Sequence, residues 1–440
     1  MNVLGNSDLF AEITAFMTGQ CAKQWTNGDL ALRLGLESLI RQQIHTLCIT
    51  SIDSLLRESS PNLSLLEFLY SHGHQCSIQA FDVTAATGPL SVLEWLANHC
   101  QGESFKCTHR ALDNASEHGH VDIVKWLVQA FASGQVVAVD STTNVHAMDL
   151  AAAGGHLEVL EILHSASSLN VTATTAAMDV AATHGHVKVL NWLRTNRREG
   201  HSAKAIYDAV SNGHLDCVQW LHAASRHLNA GWDARIMDAA AANGHLEIVK
   251  FLHTNRREGC TSMAMSLAAA NGHLDVVAFL YTHRRELCTE DALDWAASVG
   301  QLAAVQWLHG HAAHLPISVS VVAMDEAASH NYMDVVQFLH THRNEGCTKS
   351  AMDNAAANGH LEMVQWLHEN RSEGCTEWAI CLAALADNVD MVEFLWRQRA
   401  ECQGYDALDA ARMYAGEGSR VRAWVNEKLD ASLNSRPSGR

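Results

Sequence analysis

The chain has 440 residues, 48 of them acidic and 30 basic, for a formal charge of −18. That balance argues against nucleic acid or an anionic membrane as the main partner, because both select clustered lysine and arginine. Four prolines are too few for a loop-rich fold, while 28 histidines, all protonated, would swing −18 to about +10.

The first 30 residues carry Asp8 and Glu12 and no basic stretch before an apolar run, unlike an ordinary secretory signal. No run approaches the roughly 18 to 20 apolar residues of a membrane-spanning helix. Amphipathic spacing at Leu9, Phe10, Ile13, Phe16 and Met17, and again around Leu36, Leu39 and Ile40, predicts two helices before Thr50.

From Thr50 onward a block recurs with small changes, as HGHVDIVKWL, GGHLEVLEIL, NGHLDCVQWL, NGHLEIVKFL, NGHLDVVAFL and NGHLEMVQWL. Its bulky residue falls at Phe68, Trp95, Trp126, Ile162, Trp192, Trp220, Phe251, Phe279, Trp307, Phe338, Trp366 and Phe394, most often 28 residues apart. Twelve units follow, and a thirteenth, degenerate one ends at Trp424.

Each unit reads as two antiparallel helices. The first starts after an N-cap whose side-chain oxygen takes a first-turn N–H: Thr50, Ser77, Thr108, Asn144, Thr174, Ser202, Asp233, Thr261, Thr289, Ser320, Thr348 and Thr376. It ends at a left-handed turn position, held by Gly119, Gly155, Gly185, Gly213, Gly244, Gly272, Gly300 and Gly359 but by Pro61, Asn331 and Asp387 elsewhere. The second helix carries an apolar triplet such as Leu361, Val364 and Leu367, whose spacing turns one face inward. Paired alanines of the first helix, such as Ala240 and Ala241, let neighbours approach closely. Replacing Trp192 or Trp366 by alanine is expected to cost about 3 to 5 kcal/mol.

The string A-A-x-x-G-H-L-E-x-V-x-x-L, present in most units from Thr50 to Arg399, resembles the ankyrin repeat. The family's T-P-L-H start is replaced by RALD at Arg110, HAMD at His146 and SAMD at Ser350. Asp113, Asp149, Asp179, Asp238, Asp294, Asp325 and Asp353 therefore stand where the family has a histidine that ties neighbouring repeats. These carboxylates are expected to bond backbone groups of the next repeat. A 28-residue step against the family's roughly 33 looks like the divergent short-repeat type, with HENRSEGCT in place of a full β-turn finger. The resemblance implies an all-α, ankyrin-type helical solenoid of about 12 to 13 helix–turn–helix repeats with shortened β-turn fingers.

The repeated polar residues read as scaffold. Cys76, Cys107, Cys260, Cys288, Cys347 and Cys375 recur in register before Ser or Thr. Helices packed about 8 to 10 Å apart put successive members beyond the roughly 7 Å Cα reach of a disulfide, which suggests buried thiols and a reducing compartment, cytoplasmic or nuclear and not secreted. Twenty of the 28 histidines fall in four register groups. His120 and His245 exemplify those after the turn glycine, and His253 and His340 those after the last core leucine. His118 and His184 precede the turn, and His72 and His342 occupy a second-helix C-terminal position that elsewhere holds Asn196, Asn255 and Asn370. Columns stepping by about 10 Å cannot share one metal ion, and no HExxH string or pair of CxxC strings occurs, so no metal and no cofactor is expected. Arginines in NRREG at Asn196 and Asn255 complement helix C-termini, and the Gly416 to Gly418 pair reads as a loop.

Specificity belongs at exposed positions that vary within the fixed frame. The first turn of the first helix varies, and in ankyrin-like stacks that end borders the concave surface that receives protein partners. Arg110, Lys204, Arg235, Met263 and Trp378 are the candidate partner-binding residues; no catalytic residue is assigned. The resulting organisation is an N-terminal helical cap over 1–49, the repeat array over 50–400, a degenerate capping repeat over 401–430 and a disordered tail over 431–440. The expected function is a non-enzymatic protein–protein interaction scaffold, monomeric, with a protein partner and neither nucleic acid nor membrane. One alternative is the substrate receptor of a ubiquitin ligase, recruited through an F-box-like N-terminal helix pair. Another is an enzyme, which would need a deep pocket holding several non-repeated polar residues.

Overall fold

Each repeat begins where a loop ends in an oxygen-bearing side chain, because that oxygen can take an N–H the first helical turn leaves unpaired. In the computed structural model nine of the expected caps do so: Ser77, Thr108, Thr174, Ser202, Asp233, Thr261, Ser320, Thr348 and Thr376 each accept the N–H two residues on, at 3.0 to 3.1 Å. At Thr289 the hydroxyl instead meets Ser266 Oγ at 3.0 Å. The structure describes residues 28–434 apart from 34, 46, 50, 51, 58–61, 78, 100–105, 139–145, 167–170, 225–230 and 285. The expected caps Thr50 and Asn144, the turn residue Pro61 and the helix around Leu9 lie outside them.

The chain falls into two compact units, Met1–Ala209 with Asp216–Leu228 and Val210–Leu215 with Asn229–Arg440. In the first, the short helices Gly28–Arg33 and Glu37–Gln43, a 3₁₀ turn Asp53–Arg57 and the helix Leu63–Ser71 precede four helix pairs. These are Gln79–Thr87 with Leu90–His99, Arg110–Glu117 with Val121–Ser133, Ala147–Ala153 with Leu157–Ser165, and Thr175–Thr183 with Val187–Asn196. The pair Ala203–Ser211 and Leu215–Ala224 is divided between the units. In the second unit the pairs run from Ala234–Ala242 with Leu246–Asn255 to Glu377–Leu385 with Val389–Gln398, followed by Tyr405–Tyr414 with Arg420–Asn434. That last helix reaches four residues into the segment expected as a tail; residues 435–440 lie outside the described ones.

First helices pack on their counterparts in the next repeat, as Ala234–Ala242 does on Met263–Ala270 and Val322–Ser329 on Lys349–Ala357. Their alanine pairs, Ala240 and Ala241, Ala268 and Ala269, Ala355 and Ala356, are wholly buried, as close helix approach requires. The second helices supply the large side chains. Here the inward stripe differs from the expected triplet: Met363, Val364 and Leu367 are buried while Leu361 is only half-buried. Ile248, Val249 and Leu252 repeat the pattern. Trp192 and Trp366, each before the last leucine, are half-buried too, because they lie at the edge of the stripe and meet a histidine of the preceding repeat, whereas Trp95 at the same register is buried.

Gly119, Gly155, Gly185, Gly213, Gly244, Gly272, Gly300 and Gly359 all take φ between 71° and 81°, and Asn331 and Asp387 hold the same left-handed position at 63° and 52°. Among the described residues the one sheet is a parallel pairing of Lys106–Cys107 with Val137–Ala138, where the repeat steps are long enough to leave extended segments.

Candidate interaction surface

The surface is defined by what the scaffold consumes. Asp149, Asp179, Asp238, Asp325 and Asp353 are buried, and each holds the cap of the next repeat through two bonds, one oxygen taking the backbone N–H at 2.7 to 2.9 Å and the other the hydroxyl at 2.5 to 2.7 Å. Asp294 grips Ser320 in the same way, with a longer amide bond of 3.2 Å. The expected backbone bond is present, and the hydroxyl bond adds to it. The cap facing Asp113 would be Asn144, outside the described residues. Three members were not read from sequence: Asp53, which takes the Ser77 N–H at 3.0 Å and its hydroxyl, Asp82, which grips Thr108, and Ser266, which takes the Thr289 N–H at 2.8 Å. Burial pushes the Asp294 carboxyl up, although the Ser320 hydroxyl and amide oppose it.

Histidines are consumed next. After the turn glycine, His120, His156, His186 and His245 donate a ring N–H to a carbonyl of the preceding repeat, on Ala86, Glu117, Ala153 and Ser211, at 2.9 to 3.0 Å. A second set closes helix C-termini by donating from Nδ1 to the carbonyl four residues back: His72, His99, His118, His184, His283, His330 and His342. Asn196, Asn255 and Asn370 make the same bond through their amides, which explains their exchange with histidine. His311, which no register group had claimed, joins this set at 2.8 Å from the Trp307 carbonyl.

The third set sits edge-on to the next repeat's aromatic ring: His164 on Trp192, His253 on Phe279, His309 on Phe338, His340 on Trp366 and His368 on Phe394, at 5.2 to 5.7 Å and 87° to 90°. Beside it runs an arginine. Arg284, Arg371 and Arg399 donate to Nδ1 of His253, His340 and His368 at 3.2 to 3.4 Å. Each pairs its other nitrogen with a glutamate two residues on, Glu286, Glu373 or Glu401. Arg197, Arg256 and Arg343 pair with Glu199, Glu258 and Glu345. Burial alone would raise Glu258 and Glu373, but the arginine and backbone N–H bonds carry both below the usual carboxylate range. The first arginine of each NRREG string, Arg197 and Arg256, thus balances a scaffold carboxylate.

Cys260, Cys288, Cys347 and Cys375 are buried as expected, while Cys76 is half-exposed and the Cys107 side chain lies outside the described residues. Burial pushes Cys217, Cys260, Cys288, Cys347 and Cys381 up to about 11. Crevices recur beside the Arg–Glu pairs, lined for example by Trp232, Met237, Arg256 and Gly259, and enclose about 10 Å³, room for one water and far below a substrate pocket. Among the described residues no three His, Cys, Asp or Glu side chains cluster as metal ligands, and no helix is long and apolar enough to cross a membrane.

What varies within this frame is the residue two past each cap, at the exposed start of the first helix. Arg110 and Lys204 are exposed there in the first unit. In the second, Arg235 is exposed but its guanidinium pairs with its own cap, Asp233, at 2.6 Å. Met263 is 37% and Trp378 50% exposed. The structure adds Val322 at the same register, 48% exposed, and Tyr414, whose ring lies 5.8 Å from that of Trp378. Val322 was legible from its place two residues after Ser320; Tyr414 belongs to a degenerate unit and carries no register signal.

Comparison with known families follows the same frame. A profile described as ankyrin repeats (3 copies) matches residues 147–231 and 236–318, and one described as ankyrin repeats (many copies) matches 112–164 and 324–368. The chain belongs to the ankyrin-repeat family. Its all-α ankyrin fold keeps the turn glycine and the second-helix core while an aspartate–hydroxyl clamp replaces the family's usual start. No curated protein matches the sequence.

Proposed function

We propose that this ankyrin-repeat chain is a non-enzymatic scaffold that presents the varied first-turn residues to a protein partner. Arg110, Lys204, Arg235, Met263 and Trp378 form the recognition set, with Val322 and Tyr414 beside it. The observation that carries this reading is the exposure of Met263 and Trp378, 37% and 50%, in a frame whose repeated Asp, His and Arg columns are engaged between repeats. Large apolar side chains held at the surface by rigid helix starts are what a partner's pockets select, and a few such anchors dominate affinity.

Residues 1–49 and 401–430 act as caps on the 50–400 array, and a reducing compartment, cytoplasm or nucleus, fits the buried thiols. The test is partner capture from native extract by the full chain and by a variant carrying Met263→Ala and Trp378→Ala. The variant is expected to keep its helical circular dichroism and lose the partners that the parent retains. Capture unchanged in both amount and identity would overturn the assignment.

A further inference from the structure

Among the described residues one pair of thiols lies in contact. Cys375 and Cys402 are both wholly buried and their sulphurs lie 3.6 Å apart, in contact. Cys402 belongs to a 3₁₀ turn, Ala400–Cys402, that follows directly on the helix Val389–Gln398 and carries its sulphur back to the loop before Glu377–Leu385. Its thiol also lies 3.7 Å from the Thr376 carbonyl, which can only accept. Cys402 was not among the six in-register cysteines: its loop, R-A-E-C at Arg399, is one residue shorter than R-S-E-G-C at Arg371, and the 3₁₀ turn brings its sulphur against Cys375. Cys260, Cys288 and Cys347 have no second thiol in contact among the described residues.

We propose that Cys375 and Cys402 are an oxidative modification site, a thiol pair that a hydroperoxide converts into an intrachain disulfide. Cys375 reacts first. The contacting Cys402 thiol does most to favour its thiolate, with a smaller contribution from the Arg399 guanidinium and with burial and the Glu401 carboxylate opposing, whereas Cys402 is held up by its bond to Cys375 and by burial. The thiolate attacks one peroxide oxygen, an S–O bond forms, the O–O bond breaks, and the leaving alkoxide or hydroxide takes up the thiol's proton. Cys402 then attacks the sulfenic sulphur, an S–S bond forms, the S–O bond breaks, and water leaves. Two thiols and one hydroperoxide give one disulfide, one alcohol or water, and one water; two electrons pass from sulphur to peroxide. The link closes the loop that carries Trp378 and both helices of the last full repeat.

Hydrogen peroxide added to the intact full chain tests this, with thiols then blocked by N-ethylmaleimide under denaturing conditions and the chain digested with trypsin. The expected product is the peptide 372–397 joined to 400–412 through Cys375 and Cys402, reversed by dithiothreitol. Cys381, in the first of these peptides, and Cys260, Cys288 and Cys347 elsewhere are expected to carry the maleimide. Met413, 77% exposed, reports that peroxide reached the protein. Sulfoxide at Met413 with Cys375 and Cys402 both alkylated, a link through Cys381 instead, or sulfinic or sulfonic acid without a link would each overturn the proposal.

Discussion

Asp238 holds Thr261 twice, one carboxylate oxygen taking the backbone N–H at 2.8 Å and the other the hydroxyl at 2.7 Å, across 23 residues of chain. Thr261 passes the grip on, since its hydroxyl oxygen accepts the Met263 N–H. One carboxylate thus sets a repeat's first turn and, through it, the exposure of a candidate partner residue. Replacing Asp238 by alanine removes two part-buried bonds to a carboxylate and is expected to cost about 1 to 3 kcal/mol. Amide hydrogen exchange at Thr261 should accelerate with little change in the first unit. Serine should be milder than alanine, because Ser266 already serves Thr289 in that role; an alanine variant with parent-like exchange at Thr261 would show the clamp to be dispensable.

How much of this was legible depended on repetition. The aspartates in HAMD and SAMD stood out because their block recurs, and the backbone bond followed from the histidine they replace. Asp82, in QAFD, carries the same alanine–apolar–aspartate signal as RALD and SAMD and was legible too, whereas the hydroxyl grip was not, because its partners are 23 to 26 residues apart. Twelve in-register bulky residues, eleven of them aromatic, read as core, yet Trp192 and Trp366 lie at the margin of the inward stripe, where the imidazole of the preceding repeat covers them. Cys402 was missed because its loop lacks the glycine that precedes Cys375, which sets it one residue off the fixed register. At the interaction surface nothing recurs, so composition names positions there without naming what they bind.

That margin separates two substitutions that spacing alone would rank the other way. Leu252 is 2% exposed, and its replacement by alanine removes packed atoms on every side, an expected loss of about 2 to 5 kcal/mol. Trp366→Ala forfeits a half-buried ring and one edge-on histidine, and should cost less than Leu252→Ala in parallel urea unfolding followed by circular dichroism. A larger loss for Trp366 would place the aromatic column in the core after all.

Gly244 serves two purposes at once. Its φ is +74°, and a Cβ there would meet the His273 ring at 2.5 Å; Gly359, at φ +78°, has its nearest neighbour at 3.5 Å. Alanine at either position bears the left-handed backbone cost of about 1 to 2 kcal/mol, but only at Gly244 must a ring also move. Gly244→Ala should therefore lower the thermal midpoint more than Gly359→Ala, and adding His273→Ala should restore part of the difference. Equal losses would show that the imidazole yields freely.

The edge-on histidines predict the direction of the pH response. Burial first, then the positive charge of Arg284 and of neighbouring His283, holds His253 below the ordinary histidine value, with Glu286 opposing. His309 is lowered by burial, Arg343 and His342 against Glu345. A group that is harder to protonate folded than unfolded leaves the unfolded chain with more bound protons, so stability rises with pH through that window. The contribution is complete above the unfolded histidine value of about 6.5 and is lost as pH falls below it. The acidic partners work in a lower window: Glu258, Glu345 and Glu373 are held below the usual carboxylate range, so their share persists above about pH 4.3 and fails only in stronger acid. The thermal midpoint should fall between about pH 7 and about pH 5.5, and the fall should shrink when His253 and His309 are both replaced by glutamine, which keeps a polar side chain without titrating. An identical fall in parent and variant would assign the mild-acid response to histidines elsewhere in the stack.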